Sequence, residues 1–171
     1  MHIIITRPKE DSLHLINSLI KSGNMVTHLP VIKIEKLKTK KIDLFNYEAV
    51  IFTSSNAIKF MNIEKFNSKI QCFCVGKATE LRARQIGFMN THTSEGTVNS
   101  LIELIIRTLD SKSGKLLYLS SEFISKDLDQ NLINAGYLVD RISNYTSIPN
   151  EEIDKKTLDF FEKKPPDVIF I

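Results

Sequence analysis

YEAVIFTSSNAIKF, residues 47–60, is the stretch that decides the fold. Ala49, Val50, Ile51 and Phe52 make a short unbroken apolar run, as a strand covered on both faces requires. Polarity flips at Thr53-Ser54-Ser55-Asn56, and a helical pattern follows. A strand ending in small hydroxyl residues before a helix leaves backbone N–H groups unpaired at its tip. Those groups and the helix dipole attract anions. In α/β proteins ligands sit at such tips. The segment PPDVIFI, residues 165–171, opens like the same phrase, and the chain stops before a polar tip is written.

Working outward, the pattern repeats. HIIIT, residues 2–6, reads as a strand, and Pro8 suits the first turn of a helix whose apolar face carries Leu13, Ile16, Leu19 and Ile20 up to Gly23. Residues 25–29 form a second strand. After Pro30, Val31, Ile32, Ile34 and Leu37 are interspersed with Lys33, Glu35, Lys36 and Lys38, a half-exposed extended ribbon. QCFCV, residues 71–75, is a strand closed by Gly76, and a helix runs from Lys77 to Gly87. Residues 91–97, THTSEGT, read as a loop. Val98, Leu101, Ile102, Ile105 and Ile106 keep a helical period. Residues 115–119 form a strand with Ser120-Ser121-Glu122 at its tip, and residues 127–135 a helix. The chain is extended from Tyr137 towards Pro149, helical over 151–164, and a strand over 167–171.

Alternation of strand and helix predicts an α/β fold with parallel sheets and helices on both faces. The two extended, polar connectors bracket the middle of the chain. They imply a discontinuous arrangement: residues 1–30 with 151–171 in a first lobe, 38–142 in a second, and 31–37 and 143–150 as paired linker strands. YEAVIF and PPDVIF would be equivalent strands of two similar lobes.

Composition sets limits. The 171 residues are 42% hydrophobic and 25% charged, an ordinary globular balance that excludes a disordered chain. A net charge of +3 is too mild for nucleic-acid binding but suits a small polyanion. No apolar stretch is long enough for a membrane span, and no signal-like core follows the N-terminus, so a soluble cytoplasmic protein is expected. Cys72 and Cys74, two apart in one strand, match no metal spacing and are expected to be buried free thiols in a reducing compartment. His2, His14, His28 and His92 show no ligand spacing, so no metal role follows. There is no phosphate-binding glycine loop.

ITRP at 5–8, the Pro30-led ribbon, IFTSSNA at 51–57, VGKAT at 75–79 and an extended Tyr145-Thr146 together resemble the uroporphyrinogen-III synthase family. The resemblance runs the whole length of the chain, and IFTSSNA followed by VGxxT is its most specific pair. It implies two flavodoxin-like lobes joined by a two-stranded linker, with the active site in the cleft between them. It implies cyclisation of hydroxymethylbilane, a linear polycarboxylate tetrapyrrole, to uroporphyrinogen III with loss of water, on the route to haem. It also implies no metal or organic cofactor, and a monomer when complete. Two departures stand out. Family members are longer, so the first lobe is expected to be truncated at its C-terminus. Where they often carry a Gly- and Arg-rich turn, this chain has residues 120–126, ending in Lys126.

A refolding polycarboxylate needs many modest anion contacts rather than one clamp. The expected substrate-binding set is Thr53, Ser54, Ser55 and Asn56 at one tip, Gly76, Lys77, Ala78 and Thr79 at a second, Ser120 and Ser121 at a third, and Arg7 after the first strand. Helix capping is the plain alternative for Ser55 and Thr79, and a surface ion pair for Arg7. Tyr145, matching the family's linker tyrosine, is the expected catalytic residue, a general acid for the departing hydroxide. The geometry requires Ser55, Thr79 and Tyr145 to border one hollow. The competing readings are a non-catalytic α/β module that binds a small polyanion and an inactive fragment of the synthase.

Overall fold

A computed structural model describes residues 1–171, the side chains of residues 9–11 excepted. In chain order the elements are β1 (His2–Ile5), α1 (Lys9–Lys21), β2 (Met25–His28), β3 (Ile32–Lys36), β4 (Ile42–Asp43), β5 (Ala49–Phe52), α2 (Ser55–Lys59), β6 (Ile63–Lys65) and β7 (Gln71–Val75). There follow α3 (Gly76–Gln85), β8 (Asn90–Ser94), α4 (Val98–Thr108), β9 (Lys115–Ser121), α5 (Leu128–Asn134), β10 (Leu138–Pro149), α6 (Lys155–Lys163) and β11 (Val168–Phe170). The chain divides into two compact units, one of Met1–Glu35 with Ser147–Ile171 and one of Lys36–Thr146.

The first unit is built on the three-stranded sheet β11-β1-β2, parallel throughout. Ile3, Ile4 and Ile5 are buried along its central strand. His2 ties the returning segment down. Its backbone N–H donates to the Asp167 carboxylate at 2.6 Å, and its Nδ1 donates to the Lys164 carbonyl at 3.0 Å. Carbonyls only accept, so Nδ1 carries the proton, and in the neutral ring Nε2 accepts from the Thr27 hydroxyl at 2.9 Å.

The second unit carries the candidate site. Within it the strand order is β10-β9-β5-β7-β8. The pairs β10–β9, β9–β5, β5–β7 and β7–β8 are parallel, so their carboxyl ends share one edge. One face is packed by Ala49, Ile51, Phe73, Leu116 and Tyr118 of the strands against Leu101 and Ile105 of α4 and Leu128 and Leu132 of α5. Helix α4 buries this stripe because its apolar residues recur three and four apart, and the Thr97–Ser100 capping box fixes its start. In the two connectors, the Leu37 N–H donates to the Asn144 carbonyl and the Asn150 N–H to the Val31 carbonyl.

The structure corrects two sequence expectations. Residues 91–97 are not all loop, since Asn90–Ser94 is strand β8, paired with β7. A polar edge strand lacks the apolar run that marks a central one, and its β-branched threonines are the signal that remained. The last helix starts at Lys155, not Glu151, because Asp154 caps it through a bond from the Thr157 N–H. Helix α2 is a single short turn capped by Ser54, which accepts from the Asn56 N–H at 3.2 Å. Cys72 and Cys74 are buried and free, with their sulfurs 3.8 Å apart.

Candidate active site

A hollow of about 200 Å³ opens in the second unit, lined by Thr53, Ser54, Tyr118, Ser121 and Tyr145. Val98 and residues 123–126 complete its wall. The register explains the gathering. Phe52 pairs with Leu119, so Thr53 and the β9 tip emerge side by side, and Tyr145 is the partner of Ser121. A register shift between Ser143 and Tyr145 re-aims β10 there, as bulges beside sites do.

The polar contacts in the wall are specific. The Thr53 and Tyr118 hydroxyls lie 3.2 Å apart in a mutual hydrogen bond. Burial pushes the Tyr118 phenol above its usual range, while the Thr53 bond and the charge of Arg141 pull it back. Arg141 sits across from Tyr118 in the β9–β10 register. Its Nε donates to Ser120 Oγ at 2.9 Å, and its Nη2 to the carbonyls of Ser121 and Glu122 at 3.0 and 2.9 Å. The guanidinium therefore holds the turn after β9 in place. Tyr145 is 7% exposed, and its ring lies 6.5 Å from that of Phe60. Lys126 donates to Asn99 Oδ1 at 3.3 Å on the exposed side.

The other residues expected from sequence lie elsewhere. Ser55 and Asn56 belong to α2 and do not line the hollow. Ser120 is fully buried, with its hydroxyl donated to the Ser121 carbonyl at 2.9 Å. The two serines differ in place: Ser121 lines the hollow, and Ser120 is enclosed where Arg141 Nε reaches its hydroxyl. Gly76, Lys77, Ala78 and Thr79 start α3 at the same sheet edge but outside this lining. Gly76 has φ +73°, the left-handed region, which explains a glycine there. Thr79 is buried, and the Lys77 ammonium is taken by Glu80 at 2.7 Å. The hollow thus joins Thr53, Ser54, Ser121 and Tyr145 but not Ser55 or Thr79. Arg7, in the first unit, is exposed, and its carbonyl accepts from His28 Nε2 at 2.9 Å. Among the described residues no cluster of three His, Cys, Asp or Glu is placed to hold a metal ion. No helix among them is long and apolar enough to cross a membrane.

Tyr118 is the residue that sequence reasoning missed. It stands inside the apolar run KLLYL and reads there as core.

Parallel strands, crossover helices and a hollow at the carboxyl edge define the α/β class, in which ligands bind at strand tips. The family model of uroporphyrinogen-III synthase HemD matches residues 14–171, and the chain belongs to that family. Two solved structures have the same α/β fold. A mutant uroporphyrinogen III synthase from the extremely thermophilic bacterium Thermus thermophilus is 15% identical with a TM-score of 0.64, over 99% of this chain and 71% of that one. Uroporphyrinogen-III synthetase from Helicobacter pylori is 17% identical with a TM-score of 0.61, over 99% and 72%. No curated protein matches the sequence.

Proposed function

We propose that this chain cyclises hydroxymethylbilane to uroporphyrinogen III, and that the hollow of the second unit is part of its substrate site. The observation that carries the placement is the convergence of Thr53, Ser54, Ser121 and Tyr145 on one hollow, from three separate strands. A volume of about 200 Å³ is below the roughly 300–1,000 Å³ of a pocket for a whole drug-sized ligand. It fits one ring or one acidic arm of a tetrapyrrole, with the rest held outside.

In this reading Tyr145 is the catalytic residue. The bond from the terminal carbon to its hydroxyl breaks, the phenol proton goes with the hydroxide, and water leaves. The cationic azafulvene that remains is attacked by the last pyrrole, and the carbon proton lost on rearomatisation restores the balance. The hydroxide departs readily, so the protein's larger contribution is to position the last ring for inversion. Ser55, Asn56, Gly76, Lys77, Ala78, Thr79, Ser120 and Arg7 remain in the proposal as outlying substrate contacts or supports of the tips. Of these, Lys77 and Ser120 would act only by giving up their present partners.

The same reading gives two flavodoxin-like lobes, residues 1–30 with 151–171 and residues 38–142, linked by 31–37 and 143–150. The compact units and the hydrogen bonds of Leu37 and Asn150 support it. A cytoplasmic monomer needing no cofactor completes it, and the two buried free thiols fit a reducing compartment.

The test is an isomer assay. Hydroxymethylbilane is supplied, the products are oxidised to porphyrins, and the isomers are separated. Type III is expected, whereas spontaneous closure yields type I alone, and type I alone would refute the proposal. Tyr145→Phe should slow turnover about tenfold to a hundredfold, at or just below the lower end of the range for general-acid catalysis because hydroxide departs readily. A wild-type rate in that variant removes Tyr145 from the role.

A further inference from the structure

We propose that Tyr118, Thr53 and Ser121 form a hydroxyl seat for one carboxylate arm of the substrate, with Arg141 supplying the positive charge behind it. This rests on the substrate reading above and adds residues and a chemistry to it.

The argument is a count of protons and acceptors. Tyr118 and Thr53 share one hydrogen bond, which uses one of their two hydroxyl protons. The other remains to be donated. Ser121 is 9% exposed and lines the hollow, and its Oγ is buried with no hydrogen-bond partner. An unsatisfied buried hydroxyl is rare in folded proteins and calls for an explanation. Two O–H protons in one small wall thus lack an acceptor. An ionised carboxylate is the complement, since it accepts only and has two oxygens. Charge agrees with this. Arg141 is engaged by a hydroxyl and two carbonyls, and no ion pair with a carboxylate is found for it among the described residues. Neutral acceptors leave its charge uncompensated, and an incoming anion beside Tyr118 would balance it.

Arg141 is a positioning residue, because it acts through the β9 turn and through charge. Tyr118 and Ser121 are binding residues. Tyr118 differs in this from Tyr137, whose hydroxyl is satisfied by the Leu109 carbonyl at 2.7 Å and which does not line the hollow.

The test uses uroporphyrin III, a stable polycarboxylate relative of the product, titrated by fluorescence into the full chain. Wild type should bind it. Tyr118→Phe keeps the ring and should weaken binding about tenfold to a hundredfold, the range for a hydrogen bond to a charged group. Ser121→Ala should weaken binding severalfold while the unfolding midpoint stays level or rises, since the change removes an unsatisfied hydroxyl. A merely structural serine would not show that split. Tyr137→Phe should bind like wild type. If wild type binds and both Tyr118→Phe and Ser121→Ala bind equally well, the seat is refuted and the wider site reading stands. If wild type fails to bind, the seat is refuted as well, and the isomer assay alone decides the wider reading.

Discussion

Replacing Glu80 by Gln removes one charge from a buried cluster and leaves the shape unchanged. The Glu80 side chain is 5% exposed, and its oxygens take the Lys77 ammonium at 2.7 Å and Arg84 Nε at 2.9 Å. The Thr91 hydroxyl donates to it at 3.0 Å, tying α3 to the edge strand β8. Its pKa is held down to about 2, first by Lys77, with Thr93, Arg84 and Thr91 assisting and burial opposing. Thr93 Oγ1 forms no hydrogen bond of ordinary geometry, so Lys77, Arg84 and Thr91 are what hold the carboxylate. From an ordinary value of 4.5 the full shift corresponds to about 3 kcal/mol. Lys77 and Arg84 are 73% and 52% exposed, and solvent screening reduces this to about 1–2 kcal/mol. The folded pKa is depressed, so the stabilisation is complete above the unfolded value and is lost as pH falls towards the folded one. Urea unfolding at pH 7 should show Glu80→Gln with a midpoint lower by roughly 0.5–1 M. More than half of that gap should close by about pH 3. Equal midpoints at pH 7, or a gap undiminished at pH 3, would show that the carboxylate does not hold α3 to β8.

Two further outcomes can be checked on the same protein. The Cys72 thiol is pushed well above its usual range by the Cys74 thiol and by burial, so neither buried cysteine should react with a thiol reagent at pH 8 until urea unfolds the chain; prompt labelling of the native form would contradict the packing. Gly76→Ala should destabilise by about 1–2 kcal/mol from its left-handed backbone alone, because the added Cβ would meet the Gly96 Cα only at an ordinary 3.8 Å; an unchanged thermal midpoint would mean that the turn into α3 relaxes at no cost.

The parts of the fold legible in the sequence were those where burial writes the pattern. HIII, AVIF and QCFCV are short apolar runs bounded by hydroxyl residues or glycine, and each is a buried strand of a parallel sheet. Where burial is partial the signal fades. Strand β8 has one neighbour and the sequence NTHTS, and the small pair β4 and β6 has too few residues to show a period. Helix α2 stops at Lys59 although Phe60 and Met61 continue the apolar pattern past its last turn. Strand tips were legible as a class, since a run of Thr, Ser and Asn after apolar residues has few other uses in an α/β chain.

Within the tips, sequence could not say which hydroxyl faces the hollow, because that depends on where each strand ends relative to its neighbours. Ser120 and Ser121 are adjacent and chemically identical, yet one is fully buried beneath Arg141 and the other lines the hollow. Tyr118 shows the converse. Its ring belongs to the apolar core, while its hydroxyl reaches Thr53 because the register sets Ile51, Tyr118 and Arg141 in one row. A tyrosine in a core strand places a polar atom one ring-length from its backbone, so its chemistry appears where the sheet ends rather than where the residue sits in the chain. The same row sets the cation beside the phenol, and a sheet that slipped by one residue would move both to the opposite face. The shape of the hollow therefore depends on pairing register as much as on residue type, and a variant that shifts the bulge between Ser143 and Tyr145 should damage the hollow even with every named side chain intact.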